Sequence, residues 1–229
     1  MNNITNKGTL FVVPTPIGNL EDITLRAIRI LQEVDTIVCE DTRQTIKLLS
    51  HLKISKPLVS FYTQNQLKRI PQIVSMLENG RSIALVSDCG TPAISDPGYY
   101  LIKEVINKDI KVIPLPGACA LITALVGSGL TTDSFIFLGF LKKKTGKMKK
   151  ELEQAKSIQK TIVFYESPHR ILKTLEICKE VFGEQAEIVL ARELTKKFEE
   201  FIRGTIKGII DEMSNREILG EFIVLITPK

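Results

Sequence analysis

Residues 82–98 read SIALVSDCGTPAISDPG, a short apolar run typical of a buried strand followed at once by a segment rich in Gly, Pro, Asp and Ser. Residues 12–20 (VVPTPIGNL) and 112–120 (VIPLPGACA) share this design on a smaller scale. In an open α/β sheet, ligands bind at the loops beyond the carboxyl ends of the strands. Each shorter loop, taken alone, is better explained as an ordinary turn, because Gly, Pro and Asp dominate turns. The long irregular segment at residues 87–98 favours a ligand-binding role.

Strand-like and helix-like patterns alternate on both sides of this segment. Strands are predicted at residues 9–13, 36–39, 58–61, 82–86, 111–115, 135–138, 161–165, 187–191, 199–204 and 222–226. Helices are predicted at residues 20–34, 45–52, 66–79, 99–107, 118–127, about 149–157, 168–182 and 206–213. This alternation predicts an α/β fold, with a mainly parallel sheet in the first half and a mixed sheet in the second. The domains are predicted to span residues 1–117 and 118–229.

The composition narrows the classes of function. With 44% hydrophobic and 25% charged residues, the chain is typical of a globular protein outside the membrane, and no apolar run reaches the length of a span or of a signal-peptide core. The sequence therefore predicts a cytoplasmic protein. Its four widely spaced cysteines and two histidines predict reduced thiols and no metal site. The phosphate-binding motifs GxxxxGK[ST] and GxGxxG are both missing after the first strand, which disfavours nucleotide triphosphates and dinucleotides.

Charged residues cluster at a few places in a chain of net charge +5. Six lysines fall within residues 142–150, either as a solvated face or as a contact to nucleic-acid phosphates. Polar groups also follow predicted strands at residues 40–43 (EDTR), 165–170 (YESPHR) and 191–200 (ARELTKKFEE). The EDTR segment is compatible with substrate binding, with acid–base chemistry, or with a helix N-terminus capped by Asp41 or Thr42.

These segments, together with TPIGNLEDIT (15–24), LGF (138–140), Phe164 before YESPHR and GE (220–221), resemble the tetrapyrrole-methylase superfamily. More closely, they resemble its ribosomal RNA small subunit methyltransferase I branch, in order and over nearly the whole chain. The resemblance implies two α/β domains of the tetrapyrrole-methylase type with S-adenosylmethionine in the cleft between them, and a homodimer. It also implies 2′-O-methylation of a cytidine ribose in the decoding centre of 16S rRNA, within the small ribosomal subunit.

The resemblance also implies which residues contact the cofactor. They are Ile17, Gly18, Cys89, Gly90, Thr91, Ile94, Cys119, Ala120, Glu166 and Leu194. Two departures from the family pattern are visible, since the family usually has PGPSA where this chain has PGACA and Ala at the position of Cys89. Both changes are small in volume.

A ribose hydroxyl is a poor nucleophile, so a base that accepts its proton would help the reaction. We expect the base or its organiser to be Asp41, Glu166 or His169. Guanidinium and ammonium groups suit flanking phosphates, and the candidates are Arg43, Arg170, Arg192, Lys196, Lys142, Lys143 and Lys144. Two other functions remain open, namely a methylase of a small tetrapyrrole-type molecule and a non-catalytic RNA-binding assembly factor.

Overall fold

An all-parallel sheet of five strands forms the core of the first of two units, which ends at Cys119. The computed structural model describes residues 7–228. The elements of this unit are β1 (Thr9–Val12), α1 (Leu25–Glu33), β2 (Thr36–Cys39), α2 (Thr42–His51), β3 (Leu58–Ser60), α3 (Gln66–Glu78), β4 (Ile83–Leu85), α4 (Tyr99–Asn107) and β5 (Lys111–Pro114).

The strands of this sheet lie in the order β3-β2-β4-β1-β5. Every pairing is parallel, with Leu10 opposite Ile83 and Val112 on its two sides. The inner strands β2 and β4 are buried on both faces, as expected where helices cover a parallel sheet, whereas the edge strands β3 and β5 are partly exposed. Leu10 and Val38 pack with α3 and α4, whereas Ile37 and Cys39 pack on the other face with α1. The parallel arrangement brings the carboxyl ends of all five strands to one edge.

The first helix begins later than the sequence predicts. Residues 20–22 form only a 3-10 turn, and α1 starts at Leu25, because the Thr24 hydroxyl accepts the Ala27 N–H and caps the helix there. The predicted helix over residues 20–34 is therefore wrong in its first turn. The second helix is longer than predicted, because it begins at Thr42 behind the cap residue Asp41.

The second unit, from Ala120 onward, contains a mixed sheet in the order β6-β7-β10-β8-β9. β6 and β7 are parallel and the remaining neighbours are antiparallel, which confirms the predicted mixed sheet. Its elements are α5 (Ala120–Ser128), β6 (Phe135–Phe140), α6 (Thr145–Lys156), β7 (Thr161–Glu166), α7 (Ile171–Phe182), β8 (Glu187–Arg192), β9 (Glu200–Thr205), α8 (Ile206–Ser214) and β10 (Phe222–Thr227).

Helices cover both faces of this mixed sheet. Phe164 and Val224 point to one face and join a core with α6, α7 and α8. Val163 and Leu225 point to the other face and are also buried, and α5 packs on the strands that carry them. β6 continues past its predicted end at residue 138 to Phe140, through an irregular pairing with β7.

Candidate functional site

Three loops at the carboxyl edge of the parallel sheet are held together by hydrogen bonds. They follow β1, β4 and β5, which are neighbours in the sheet. The backbones of Thr15 and Gly90 exchange two hydrogen bonds, with N···O distances of 2.9 and 3.0 Å. The Thr91 hydroxyl donates to the Ala118 carbonyl at 3.0 Å and thereby joins the second loop to the third. The predicted clustering of these loops at one sheet edge is therefore present in the first unit.

Gly90 lies where the loops after β1 and β4 are in direct contact. Its φ is +78°, and a Cβ placed there would lie 3.2 Å from Cγ2 of Ile17. Ile17 is buried, whereas Gly18, Cys89 and Ile94 are exposed. Gly90 itself is buried, and a side chain here would press on Ile17, so the contact between these two loops depends on glycine.

The loop after β4 also carries backbone strain on both sides of Ile94. Ala93 and Ser95 have φ values of 70° and 63°, in the left-handed region that favours glycine. Strain of this kind costs about 1–3 kcal/mol per residue and persists mainly at ligand sites and switches. The exposed Gly18 and Cys89, the close contact of the loops at Gly90 and the strained turn around Ile94 fit a cofactor that is held by main-chain groups and apolar contacts.

Four carboxylates lie at the carboxyl ends of the neighbouring strands β2 and β4. Asp88 accepts the Asp41 N–H at 2.9 Å, which joins the two strand ends. Burial, reinforced by the nearby carboxylates of Asp96, Asp88 and Asp41, raises the pKa of Glu40 to about 7. Burial also raises the pKa of Asp96 to about 6, although a hydrogen bond with Ser87 opposes this change. A carboxyl group that titrates near neutrality can take up or release a proton at cellular pH.

Sequence reasoning did not select Glu40, Asp88 or Asp96. Glu40 stands in EDTR, and both aspartates stand in the long loop that follows β4. The available signal was an acidic residue at the end of each of two predicted strands. Only the sheet order, in which β2 is next to β4, shows that these ends are adjacent.

Asp41 caps α2 and forms an ion pair with Arg43. Its carboxylate accepts the Arg43 N–H at 2.8 Å and the Arg43 Nη2 at 2.6 Å. Hydrogen bonds from Arg43 lower the pKa of Asp41 to about 2. The capping interpretation of EDTR is therefore confirmed. The Arg43 side chain remains 84% exposed and can reach an external anion while its partner holds it in place.

Glu166 lies at the end of β7 with its carboxylate fully enclosed in the second unit. It accepts hydrogen bonds from the Thr174 hydroxyl at 2.7 Å and from the Ser167 N–H at 2.8 Å. Arg170 forms an ion pair with it at 3.3 Å. These partners neutralise and orient the buried charge, which suits a residue that positions Arg170.

Arg170 connects the YESPHR segment with the lysine-rich segment after β6. Its Nη2 donates to the carbonyl of buried Leu141 at 3.2 Å. Lys142, Lys143 and Lys144 follow at once and are exposed, as is His169. The second unit therefore brings Arg170 together with the beginning of the lysine run, two features that the sequence predicted separately.

The ARELT segment after β8 forms a strained turn around a buried leucine. Leu194 lies between Glu193 and Thr195, whose φ values are 50° and 65°. Lys196 bridges Glu193 and Glu221 at 2.9 and 2.8 Å. Arg192 pairs with Glu200 at 3.4 Å. Both predicted phosphate ligands of this segment, Arg192 and Lys196, therefore have acidic partners in the second unit.

Neither a metal-binding cluster nor a membrane-spanning helix occurs in the part of the chain that the structure describes. Residues 7–228 contain no group of three or more His, Cys, Asp or Glu side chains arranged to hold an ion. Across the same residues, no helix is long and apolar enough to cross a membrane.

The model of the tetrapyrrole (corrin/porphyrin) methylase family matches residues 9–210. The chain is 48% identical over 225 residues to the ribosomal RNA small subunit methyltransferase I of Bacillus subtilis strain 168, covering 98% of this chain and 77% of that protein. It is 50% identical over 221 residues to the protein of the same name from Hydrogenobaculum sp. strain Y04AAS1, covering 96% of this chain and 95% of that protein.

Solved structures extend the likeness to the fold. A diphthine synthase matches with a TM-score of 0.76 at 12% identity, over 97% of this chain and 90% of that one. The uroporphyrin-III C-methyltransferase of Thermus thermophilus, crystallised with S-adenosylhomocysteine, matches with a TM-score of 0.67 at 15% identity, over 95% and 97% of the two chains. At these identities the likeness concerns the fold alone.

Proposed function

The chain belongs to the ribosomal RNA small subunit methyltransferase I family of the tetrapyrrole methylases, and from this we propose that it methylates the 2′-hydroxyl of a cytidine ribose in the decoding centre of 16S rRNA. The methyl donor is S-adenosylmethionine. The observation that carries the proposal is the identity of 48–50% to proteins named for this rRNA, over almost the full chain.

We propose that the joined loops of the first unit bind S-adenosylmethionine, which supplies an electrophilic methyl group when bound. Gly90 lets the loops after β1 and β4 lie in contact at buried Ile17, and the exposed Ile94 offers apolar surface. Gly18, Cys89, Thr91 and Cys119 complete the proposed contacts of these loops. Ala120, Glu166 and Leu194 of the second unit stay predictions from the family resemblance.

We propose that Asp41 and Glu166 are positioning residues. Asp41 holds the exposed Arg43, and Glu166 holds Arg170, so each carboxylate keeps a guanidinium ready for a phosphate of the RNA. The lysines at 142–144 would add sequence-independent contacts with the backbone, and Arg192 and Lys196 would have to share their acidic partners with it. His169 is exposed and stays the candidate proton acceptor of the second unit, while Glu40 is the acid of the first unit whose pKa suits this role.

The test is methyl transfer to small ribosomal subunits from a bacterial strain that lacks the endogenous enzyme. With labelled S-adenosylmethionine, we expect one methyl group per subunit, mapped as a ribose methylation on a decoding-centre cytidine. Label at another rRNA nucleotide would contradict the assigned target nucleotide but would still support methyltransferase activity. Label only on a small tetrapyrrole would favour the rival enzyme, and RNA binding without any transfer would favour an assembly factor.

Single-turnover rates of four variants separate the proposed roles. Asp41→Asn and Glu166→Gln should weaken RNA binding through Arg43 and Arg170. Glu40→Gln or His169→Asn should slow transfer at saturating RNA if that residue accepts the proton. If all four keep the unsubstituted rate, the enzyme relies on positioning of the reactants alone.

The resemblance further predicts a homodimer that acts in the cytoplasm. Sedimentation equilibrium of the purified protein measures the first prediction directly. A monomer at micromolar concentration would contradict it, without bearing on the reaction.

A further inference from the structure

A β-bulge near the end of β6 decides where Phe140 points. Phe137 pairs with Val163 of β7, and the next paired residues are Phe140 and Tyr165. Three steps along β6 thus match two steps along β7, and the extra residue is accommodated by Gly139, whose φ is 64°. In a regular strand, residues 137 and 140 would face opposite sides of the sheet. The bulge instead places Phe140 on the side of Phe137 and Tyr165.

One edge-to-face contact orients the Phe140 ring, and a second one orients its partner Tyr165. The Phe140 and Tyr165 centroids are 5.4 Å apart at an interplanar angle of 62°. Tyr165 in turn contacts Phe137, with centroids 5.0 Å apart at 68°. Despite these contacts, Phe140 is 57% exposed. The second unit therefore holds an aromatic ring in a set orientation and leaves more than half of it open to solvent.

The residues that follow Phe140 supply positive charge at once. Leu141 is buried and its carbonyl is held by Arg170, so the chain is anchored directly after the ring. Lys142, Lys143 and Lys144 are exposed. A fixed exposed ring beside a cationic run is the combination that binds single-stranded RNA, since bases stack on the ring while phosphates contact the cations.

We propose that Phe140 is a stacking platform for an unpaired base of the RNA substrate, with the adjoining phosphates on Lys142–Lys144. This proposal rests on the proposed function and adds how the RNA substrate is bound. Another exposed phenylalanine of the second unit lacks these features. Phe198 is 64% exposed, but the Lys197 ammonium lies over its ring at 5.5 Å, and Glu199 and Glu200 follow it. Phe198 is therefore the matched control.

The experiment uses the absence of tryptophan from the sequence. Phe140→Trp introduces a single indole, whose emission a stacked base quenches. The two probes are oligocytidylate and an abasic ribose-phosphate oligomer of the same length, which carries the phosphates without the bases. We expect quenching of Phe140→Trp by oligocytidylate only, and no quenching of Phe198→Trp by either probe.

Affinity measurements on alanine variants complete the test. Phe140→Ala should bind oligocytidylate about tenfold more weakly, with unchanged affinity for the abasic oligomer. The slope of log affinity against log salt concentration should be unchanged in Phe140→Ala, because this slope reflects the number of neutralised phosphates. Lys143→Gln should lower the slope by about one. Circular dichroism confirms that the variants are folded.

Three results would overturn the platform. They are unchanged Phe140→Trp emission with oligocytidylate, equal quenching by both probes, and Phe140→Ala weakening the abasic oligomer as much as oligocytidylate. Failure of the unsubstituted protein to bind oligocytidylate would overturn it as well. Methyl transfer to small subunits, measured in parallel, tests the proposed function separately. If the enzyme is active but the Phe140 variants bind oligocytidylate normally, only the platform is refuted.

Discussion

Replacing Glu40 with glutamine should stabilise the protein in a way that depends on pH. The carboxyl group is half-buried beside other carboxylates, and its pKa is raised from 4.5 to about 7, first by burial and then by these neighbours. A pKa change of this size corresponds to about 3 kcal/mol of lost stability at pH values above both pKa values. Because the side chain is partly exposed, solvent screening reduces the expected contribution to about 1 kcal/mol.

The sign of this effect follows from proton binding. Between pH 4.5 and about 7, the folded chain binds more protons at Glu40 than the unfolded chain does. Stability therefore falls as the pH rises through this window. Glutamine cannot ionise, so Glu40→Gln should match the unsubstituted protein below the window and exceed it by about 1 kcal/mol above the window.

Urea unfolding followed by circular dichroism, at a series of pH values across the window, measures the difference in unfolding free energy. The control is Glu33→Gln, because Glu33 is an exposed partner of Arg29 on α1. This control removes a surface ion pair and should lose about 0.3 kcal/mol, with no gain in stability across the window. A Glu40→Gln variant that is less stable above pH 7, or equally stabilised at every pH, would refute the reasoning.

Three further predictions concern the proposed site and the core. Gly90→Ala and Gly129→Ala should each lower the unfolding free energy by about 1–2 kcal/mol, because both glycines have left-handed φ values. Only Gly90→Ala should also weaken S-adenosylmethionine binding in calorimetry, since nothing lies within 4 Å of a Cβ at Gly129. Equal affinities in the two variants would contradict this. Thr174→Val should lower the unfolding free energy by about 1–3 kcal/mol in urea titrations, because buried Glu166 loses its 2.7 Å donor, and Thr174→Ser should keep most of it. Iodoacetamide should label the exposed Cys89 before the buried cysteines, as peptide mass spectrometry can follow, and S-adenosylhomocysteine should slow that labelling; protection of a buried thiol instead would place the ligand elsewhere.

The alternation of elements was predictable because each buried strand and amphipathic helix carries its own local pattern. The loops after β1, β4 and β5 were recognisable for the same reason, since each strand runs directly into Gly and Pro. Helix starts were less visible, because Leu20 continues the apolar spacing of α1, although the helix starts only at Leu25, after the cap at Thr24. The periodic spacing of apolar residues does not show that a cap starts the helix later.

The acidic cluster and the bulge could not be predicted, because each depends on a partner strand. Glu40 and Asp96 are distant in the sequence, and only the placement of β4 beside β2 makes them neighbours. The apolar run FIFLGF contains no sign that Gly139 shifts the pairing with β7. In EDTR the sequence left capping, substrate binding and acid–base chemistry open; the distances from Asp41 to Arg43 show the cap, and the other two roles stay predictions.

The strand order of the first unit has a consequence for synthesis on the ribosome. Among residues 7–228, β1 pairs only with β4 and β5, because β4 occupies the place between β1 and β2. β1 therefore leaves the ribosome before either of its partners and waits for β4, which ends at Leu85, while its apolar side chains stay uncovered. We expect the nascent first unit to fold late and to need protection from aggregation, since pairing across such distances along the chain is slow.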